Sequence, residues 1–408
     1  MEDSPKQKGA RRGAVALVFV LLSLLATSIP PAYNWDMVAY IALAESWVNP
    51  GADSQAVHES TWADVWQNIP RQQFLHLRGA HLDPDSTQWP LEVIGYRRAV
   101  AEDPEVLKAQ MPFYSVKPLY PALIAGLTVL GLSAVFASVL VTKASWVAMG
   151  CFVFVLLRRR FALLPSLIAL LISMSLPIVR ALGGYSTPDA LCSLFVLAGL
   201  YFALDANTRL RQRLALASCV LAVIARPDSI LLVTPIALWL AARQPKQWRE
   251  PASAVVCALV ACGLQSHFSD NYGWAVLFHH SFIDYLQFPG AVSIELRLSD
   301  VISIYLSQLL STGLFWGVVG IAVVVAVLRL RWLGVQDDWF CGLLVVIVFM
   351  ATHWMVFPDQ KDRMMVASYL FVLVAAVQFV AEWFGRGIGF TVSQKNRKGY
   401  DGGRGKAA

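Results

Sequence analysis

Charge is what this sequence has least of. Only 15% of its 408 residues are Asp, Glu, Lys or Arg, against about 25% in an average soluble domain. Residues 161–179, 229–242, 252–266, 301–328 and 339–357 contain none at all. A membrane span needs roughly 20 mostly apolar residues, and several of these runs reach or approach that length. Hydrophobic residues make up 57% of the chain and the mean hydropathy is +0.56. A string of soluble domains is excluded. Cysteine is scarce too. All six (Cys151, Cys192, Cys219, Cys257, Cys262 and Cys341) fall in apolar segments, and no two form a C-x-x-C pair. They read as small hydrophobes packed among helices rather than a disulfide frame or a thiolate metal site. No two halves of the chain repeat each other.

What charge there is lies in clusters. The net charge is +6, and basic residues group at 6–12, 158–160, 209–213, 243–249, 329–331 and 386–398. Such clusters mark the cytoplasmic ends of spans. Each one flanks an apolar run, so no nucleic-acid partner is read from them.

The expected fold is an all-α polytopic membrane protein with about ten transmembrane helices and a large outer first loop carrying amphipathic surface helices. Residues 14–29 form a first apolar segment, read as an uncleaved helix; a cleaved signal peptide ending near Ala26, Thr27 and Ser28 is the rival. Residues 33–117 are a polar excursion on the far side. There Trp62, Val65, Trp66 and Ile69 keep helical spacing before Pro70. Charge parity then makes 118–132 an interfacial piece and 134–157 a span. Crossings come next at 161–179, 188–204, 214–225, 229–242, 252–266, 301–328, 339–357 and 364–383, with a second outer loop at 267–300. Residues 1–384 would be one membrane domain with both termini cytoplasmic, and 385–408 a basic, Gly-rich disordered tail. This topology puts all seven histidines and Asp36, Asp189, Asp228, Asp359 and Asp362 at or near the outer face.

Each polar patch there has a plain reading beside a functional one. Asn34, Trp35 and Asp36 come directly after the first apolar segment. They are either an interfacial Trp with solvated neighbours or a carboxylate whose partial desolvation suits a base. Thr187, Pro188 and Asp189 can simply start a helix, with Thr187 as N-cap and Pro188 at the first helical position. The preceding Gly183 and Gly184 permit close approach of a backbone or a ligand. Arg226, Pro227 and Asp228 form either an Arg–Asp pair at a turn or an Arg fork facing phosphate. Lys361, Asp362 and Arg363 form either a self-neutralising turn or a cradle for an anionic headgroup, and Lys117 has the same two readings. His81, Asp83 and Asp85 could ligate a divalent metal or form a polar turn.

Taken in order, these patches resemble the GT-C superfamily of membrane glycosyltransferases. The resemblance runs from about Leu17 to Trp383 and is nearest to the branch similar to protein O-mannosyltransferases and lipid A aminoarabinose transferases. Its parts are Asn34-Trp35-Asp36 after a first span, the large outer loop, Lys117-Pro118-Leu119-Tyr120-Pro121, the turn at 158–160, Ser186-Thr187-Pro188-Asp189, Arg226-Pro227-Asp228, and Lys361-Asp362-Arg363 before the last span. The chain departs from the family in its single acid at Asp36 where a paired acidic motif is usual, in a short final outer loop, and in having no large soluble C-terminal domain.

The resemblance implies a polyprenyl-phosphate-linked sugar as donor, a glycan, lipid or protein as acceptor, and a bacterial inner membrane as location. It makes Asp36 and Asp189 the catalytic acids, and Arg226, Lys361, Arg363 and Lys117 the holders of the donor phosphate. It fixes no cofactor, and a divalent metal is left open. A sugar on polyprenyl phosphate already carries a good leaving group, so the protein needs a base for the acceptor and cations for the departing phosphate. Three rivals remain at this point. A lipid-carrier ligase or polymerase would share the loops and the donor. A transporter usually buries ionisable groups at mid-membrane, where the expected spans here have only Lys143. A non-catalytic assembly factor would leave every patch as mere surface.

Overall fold

The structure is a computed structural model, and it describes residues 5–79, 91–334, 337–358 and 362–387. Among the described residues the regular structure is α-helical with short 3-10 turns. Among the described residues, five helices are long and apolar enough to cross a membrane: Ala134–Leu157, Arg249–Phe268, Gly313–Leu333, Asp338–Val356 and Val366–Phe384. Four apolar helices are shorter: Gly13–Thr27, Leu119–Val129, Leu163–Ser175 and Asp189–Leu204. At 1.5 Å per residue a 13-residue helix spans only about 20 Å.

Local chemistry sets the helix boundaries. Ser133 Oγ accepts from the Phe136 amide at 3.1 Å and opens Ala134–Leu157. Asp53 accepts from the Ala56 amide at 2.8 Å, and Asp337 from the Phe340 amide at 3.0 Å, at two other helix starts. Each satisfies an amide that the first turn leaves without a carbonyl partner.

Several expected boundaries are corrected. The run 301–328 is two helices, Leu298–Ser311 and Gly313–Leu333. At the break, the Thr312 hydroxyl donates to the Gln308 carbonyl at 2.7 Å, competing with the helical ladder. The run 161–179 divides at Leu176, which adopts an extended ψ of 135° ahead of Pro177. The proline ring clashes with a helical residue before it. The excursion at 33–117 does not begin as a surface segment. Helix Trp35–Val48 buries Met37 through Ala44 and belongs to the core. The helical spacing of Trp62, Val65 and Ile69 is realised in Ser54–Asn68 and the residue after it, with these three buried and Trp66 exposed.

Helix Asp189–Leu204 is central, packed against both Ala134–Leu157 and Arg209–Ala225. Trp146, fully buried, donates its indole N–H to the Val179 carbonyl at 2.7 Å and ties the long helix to the short helix Pro177–Leu182. One backbone contact joins two segments far apart in the chain. Ala32 and Tyr185 form a parallel β-bridge, and the Ala32 amide donates to the Gly184 carbonyl at 2.8 Å. A Cβ on Gly184 would meet the Pro30 carbonyl oxygen at 2.9 Å, and one on Gly183 would meet Trp146 at 3.0 Å. The diglycine is what lets the two chain segments touch.

Candidate functional site

The bridge brings the start of helix Trp35–Val48 beside the start of helix Asp189–Leu204, each with an aspartate in its first turn. Between the two aspartates lies Arg363, from the 3-10 turn Asp362–Met364. Its Nη2 donates to Asp36 Oδ2 at 2.9 Å, and its Nε sits 3.1 Å from Asp189 Oδ2. The guanidinium also lies 5.3 Å from the Tyr185 ring centroid. The Tyr369 hydroxyl holds the turn by donating to Asp362 at 2.7 Å.

The chain of charges continues inward. Arg226 donates through Nη1 to Asp189 Oδ1, and through Nε and Nη2 to Asp228 at 3.1 and 2.9 Å. His353 Nε2 lies 2.9 Å from Asp228 Oδ2. Six side chains thus alternate: Asp36, Arg363, Asp189, Arg226, Asp228, His353. Their exposure falls toward the middle. The Asp36 side chain is 31% exposed and Arg363 15%, while Asp189 is 2% and Arg226 8%. The interior pair Asp189–Arg226 is enclosed, while Asp228, at 29%, is nearly as exposed as Asp36.

Asp36 is further held by the Tyr114 hydroxyl at 3.2 Å and the Asn34 amide at 3.4 Å. Burial first, and then the Asp36 charge, pushes the Tyr114 pKa well up, so this phenol stays a donor. Burial pushes the Asp228 carboxyl up, but Arg226 and His353 outweigh it and hold the group well below the usual range. Arg363 is held cationic by Asp189 and Asp36 against the pull of its own burial.

Lys117 completes the cluster. Its ammonium lies 5.8 and 6.0 Å from the ring centroids of Tyr114 and Tyr40, and among the described residues it makes no ion pair. Burial and the neighbouring Arg226 push its pKa down to about 8, against the opposing fields of Asp36, Asp189 and Asp228. Three carboxylates against two guanidiniums leave one negative charge in excess, which the Lys117 ammonium offsets.

Of the residues singled out in the sequence, Asp36, Asp189, Arg226 and Arg363 are in direct contact, and Lys117 is close enough to feel their charges. Lys361, and the metal candidates His81, Asp83 and Asp85, lie outside the described residues. Among the described residues no three His, Cys, Asp or Glu side chains are grouped to hold a metal. Contrary to the plain reading of this motif, Thr187 does not cap the helix. Pro188 stands at the N-cap, and the Thr187 hydroxyl donates at 2.8 Å to the Asp189 side chain instead. Sequence reading misses Tyr114 and His353 as partners. Tyr114 sits three residues before Lys117, and that spacing is the one local signal for it. His353 reaches Asp228 from another helix, and no spacing reveals that.

A pocket of about 740 Å³ opens beside the cluster, between the segment 105–118 and helix Arg249–Phe268. It includes Ser115 and Pro118, the residues next in sequence to Tyr114 and Lys117, but none of the six members of the charge chain.

The chain matches no protein-family model, no curated protein and no solved structure.

Proposed function

We propose that the protein is a membrane glycosyltransferase of the GT-C kind. It moves a sugar from a polyprenyl-phosphate carrier to an acceptor at the periplasmic face of a bacterial inner membrane. In this reading about ten segments cross the bilayer, the shorter apolar helices among them, and both termini are cytoplasmic. The observation that carries it is the meeting of Asp36, Asp189, Arg226 and Arg363. The sequence scatters them over four segments, and they converge in one half-buried cluster beside Lys117 and an open pocket.

The chemistry divides among them. Asp36, the exposed end, takes the proton from the acceptor hydroxyl or amine as its oxygen or nitrogen attacks the anomeric carbon. The bond from that carbon to the phosphate oxygen breaks, its electron pair leaves on polyprenyl phosphate, and attack opposite the leaving group inverts the centre. Lys117 and Arg363 face the phosphate and stabilise the charge that develops on it. Arg226 is a positioning residue, because its donors are already committed to Asp189 and Asp228. Asp189 is a positioning residue as well, orienting Arg363. A glycan ligase or polymerase would use the same cluster with a different acceptor.

The deciding experiment is binding of polyprenyl phosphate to the purified full-length protein. The wild type should bind, and a folded Lys117→Ala/Arg363→Ala variant should bind at least about tenfold more weakly, the worth of a lost charge-assisted contact or two. No binding by folded wild type sinks the carrier-dependent reading and favours a transporter or an assembly factor.

Lys117 gives the binding a pH signature. Its ammonium is charged below its pKa of about 8 and neutral above it. Carrier affinity should therefore fall as pH rises through about 8. Lys117→Arg, which stays protonated throughout, should bind with no inflection there. An identical inflection in that variant assigns the titration to another group.

A further inference from the structure

The pocket carries information about the acceptor that the charge cluster does not. Asp36, Leu43 and Trp47 stand seven and eleven residues apart on one helix, Trp35–Val48. At 100° per residue these offsets return to within about 20° of the same face, and the rise places Leu43 about 10 Å and Trp47 about 16 Å along the axis from Asp36. Leu43 and Trp47 both line the pocket. The pocket and the carboxylate thus lie on one face of this helix, with Tyr40 between them, buried against the Tyr114 and Tyr120 rings.

Its walls are mixed in a particular way. Leu43, Trp47 and Phe268 give it an apolar wall, and Phe268, on a helix long enough to span a bilayer, is 78% exposed. Its charged residues are Glu105, Lys108 and Asp270. Lys108 Nζ lies 3.5 Å from Glu105, which leaves the Asp270 charge in excess. Asp270 holds a left-handed φ of 49°, and the Ser115 hydroxyl donates to the carbonyl of its neighbour Ser269 at 3.3 Å. The turn bearing the acid is thus tied to the segment that carries Lys117. A net negative rim disfavours a phosphate-bearing ligand and tolerates a neutral one.

Resting on the transferase reading above, we infer that this pocket receives the apolar body of an uncharged amphiphilic acceptor, a hydroxyl-bearing lipid, on the helix face that also carries Asp36. The carrier's phosphate stays at Lys117 and Arg363, outside the pocket.

The test is photolabelling of the full-length protein in nanodiscs with a diazirine-bearing monoacylglycerol, mapped by mass spectrometry, alongside the same chain ending in phosphate. The neutral probe should label the pocket segments several-fold more than the phosphate probe. Leu43→Trp, which fills the cavity, should cut that labelling at least about fivefold. Glu105→Lys/Asp270→Lys changes only exposed rim residues and should reverse the preference between probes, which keeps the test open if Leu43→Trp misfolds. Asp36→Asn should leave labelling unchanged. Equal labelling of wild type and both variants, or a wild-type preference for the phosphate probe, overturns the assignment; the latter gives the pocket to the carrier. The assay needs no turnover. Pocket labelling with no binding of polyprenyl phosphate would sink the transferase reading while leaving a neutral-amphiphile site standing.

Discussion

Asp36→Asn should abolish transfer while leaving the protein folded and still able to bind its carrier. Asn has the size of Asp; its Oδ1 can still accept from Arg363, which now donates to one carboxylate oxygen at 2.9 Å, while its Nδ2 can donate to the Tyr114 hydroxyl, which now donates to the other at 3.2 Å. What it loses is basicity. A positioned general base contributes typically 10²–10⁴-fold, so turnover should fall by at least about 100-fold. The side chain is 31% exposed, so solvent screens its ion pair and the stability cost is small. The informative comparison is therefore kcat against carrier affinity. Loss of kcat with unchanged carrier binding and an unchanged thermal midpoint fits a base. Transfer retained by a well-folded variant removes Asp36 from the mechanism. Equal loss of carrier binding makes it part of the phosphate site instead.

Asp189→Asn should do something different: destabilise first and impair transfer as a consequence. This carboxylate is 2% exposed and lies between Arg226 and Arg363. Removing its charge leaves two guanidiniums close together in a buried setting without the anion between them. Breaking a buried ion pair by removing one partner costs about 3–5 kcal/mol, and here one partner serves two. The thermal midpoint in detergent should drop by several degrees. Activity should fall together with the order of Arg363, while the pH profile of the residual activity keeps its shape. Adding Arg226→Met should not restore stability, because Asp228 would then lack Arg226 and Arg363 would still lack Asp189; recovery in the double variant would show an isolated pair rather than a chain. A midpoint unchanged by Asp189→Asn would show that the interior of the chain contributes nothing to the fold.

Much of the site is legible in the sequence as a list and not as an arrangement. Asp36, Asp189, Arg226, Arg363 and Lys117 all stand out in short polar motifs beside apolar runs. For Arg226 the sequence allows two readings, a turn with Asp228 or a phosphate fork. The guanidinium in fact takes both Asp228 and Asp189. The second partner comes from another helix, and no local spacing encodes it. Thr187 shows the same limit on a smaller scale. Thr-Pro-Asp is a sound helix start, and the helix does begin at Asp189, but the hydroxyl turns to a side chain rather than to the backbone. The break at Leu176 is within reach of the sequence, since Pro177 disfavours a helical residue before it.

By itself the sequence determined that this chain is helical and has runs apolar enough for a membrane, because both arise from composition and short-range pattern. Charge-free stretches need no partner to be recognised, and Ser133, Asp53 and Asp337 cap helices through neighbours three residues away. It also placed the polar patches between those stretches. The tertiary structure alone decided which of these runs stay whole as helices, that the start of the polar excursion is buried, and that two aspartates far apart in sequence share one arginine. The reason is that those outcomes depend on which surfaces meet. The Ala32–Tyr185 bridge forms because Gly183 and Gly184 present no Cβ to Trp146 or to the Pro30 carbonyl. Once it forms, Asp36 and Asp189 are near enough for Arg363 to hold both.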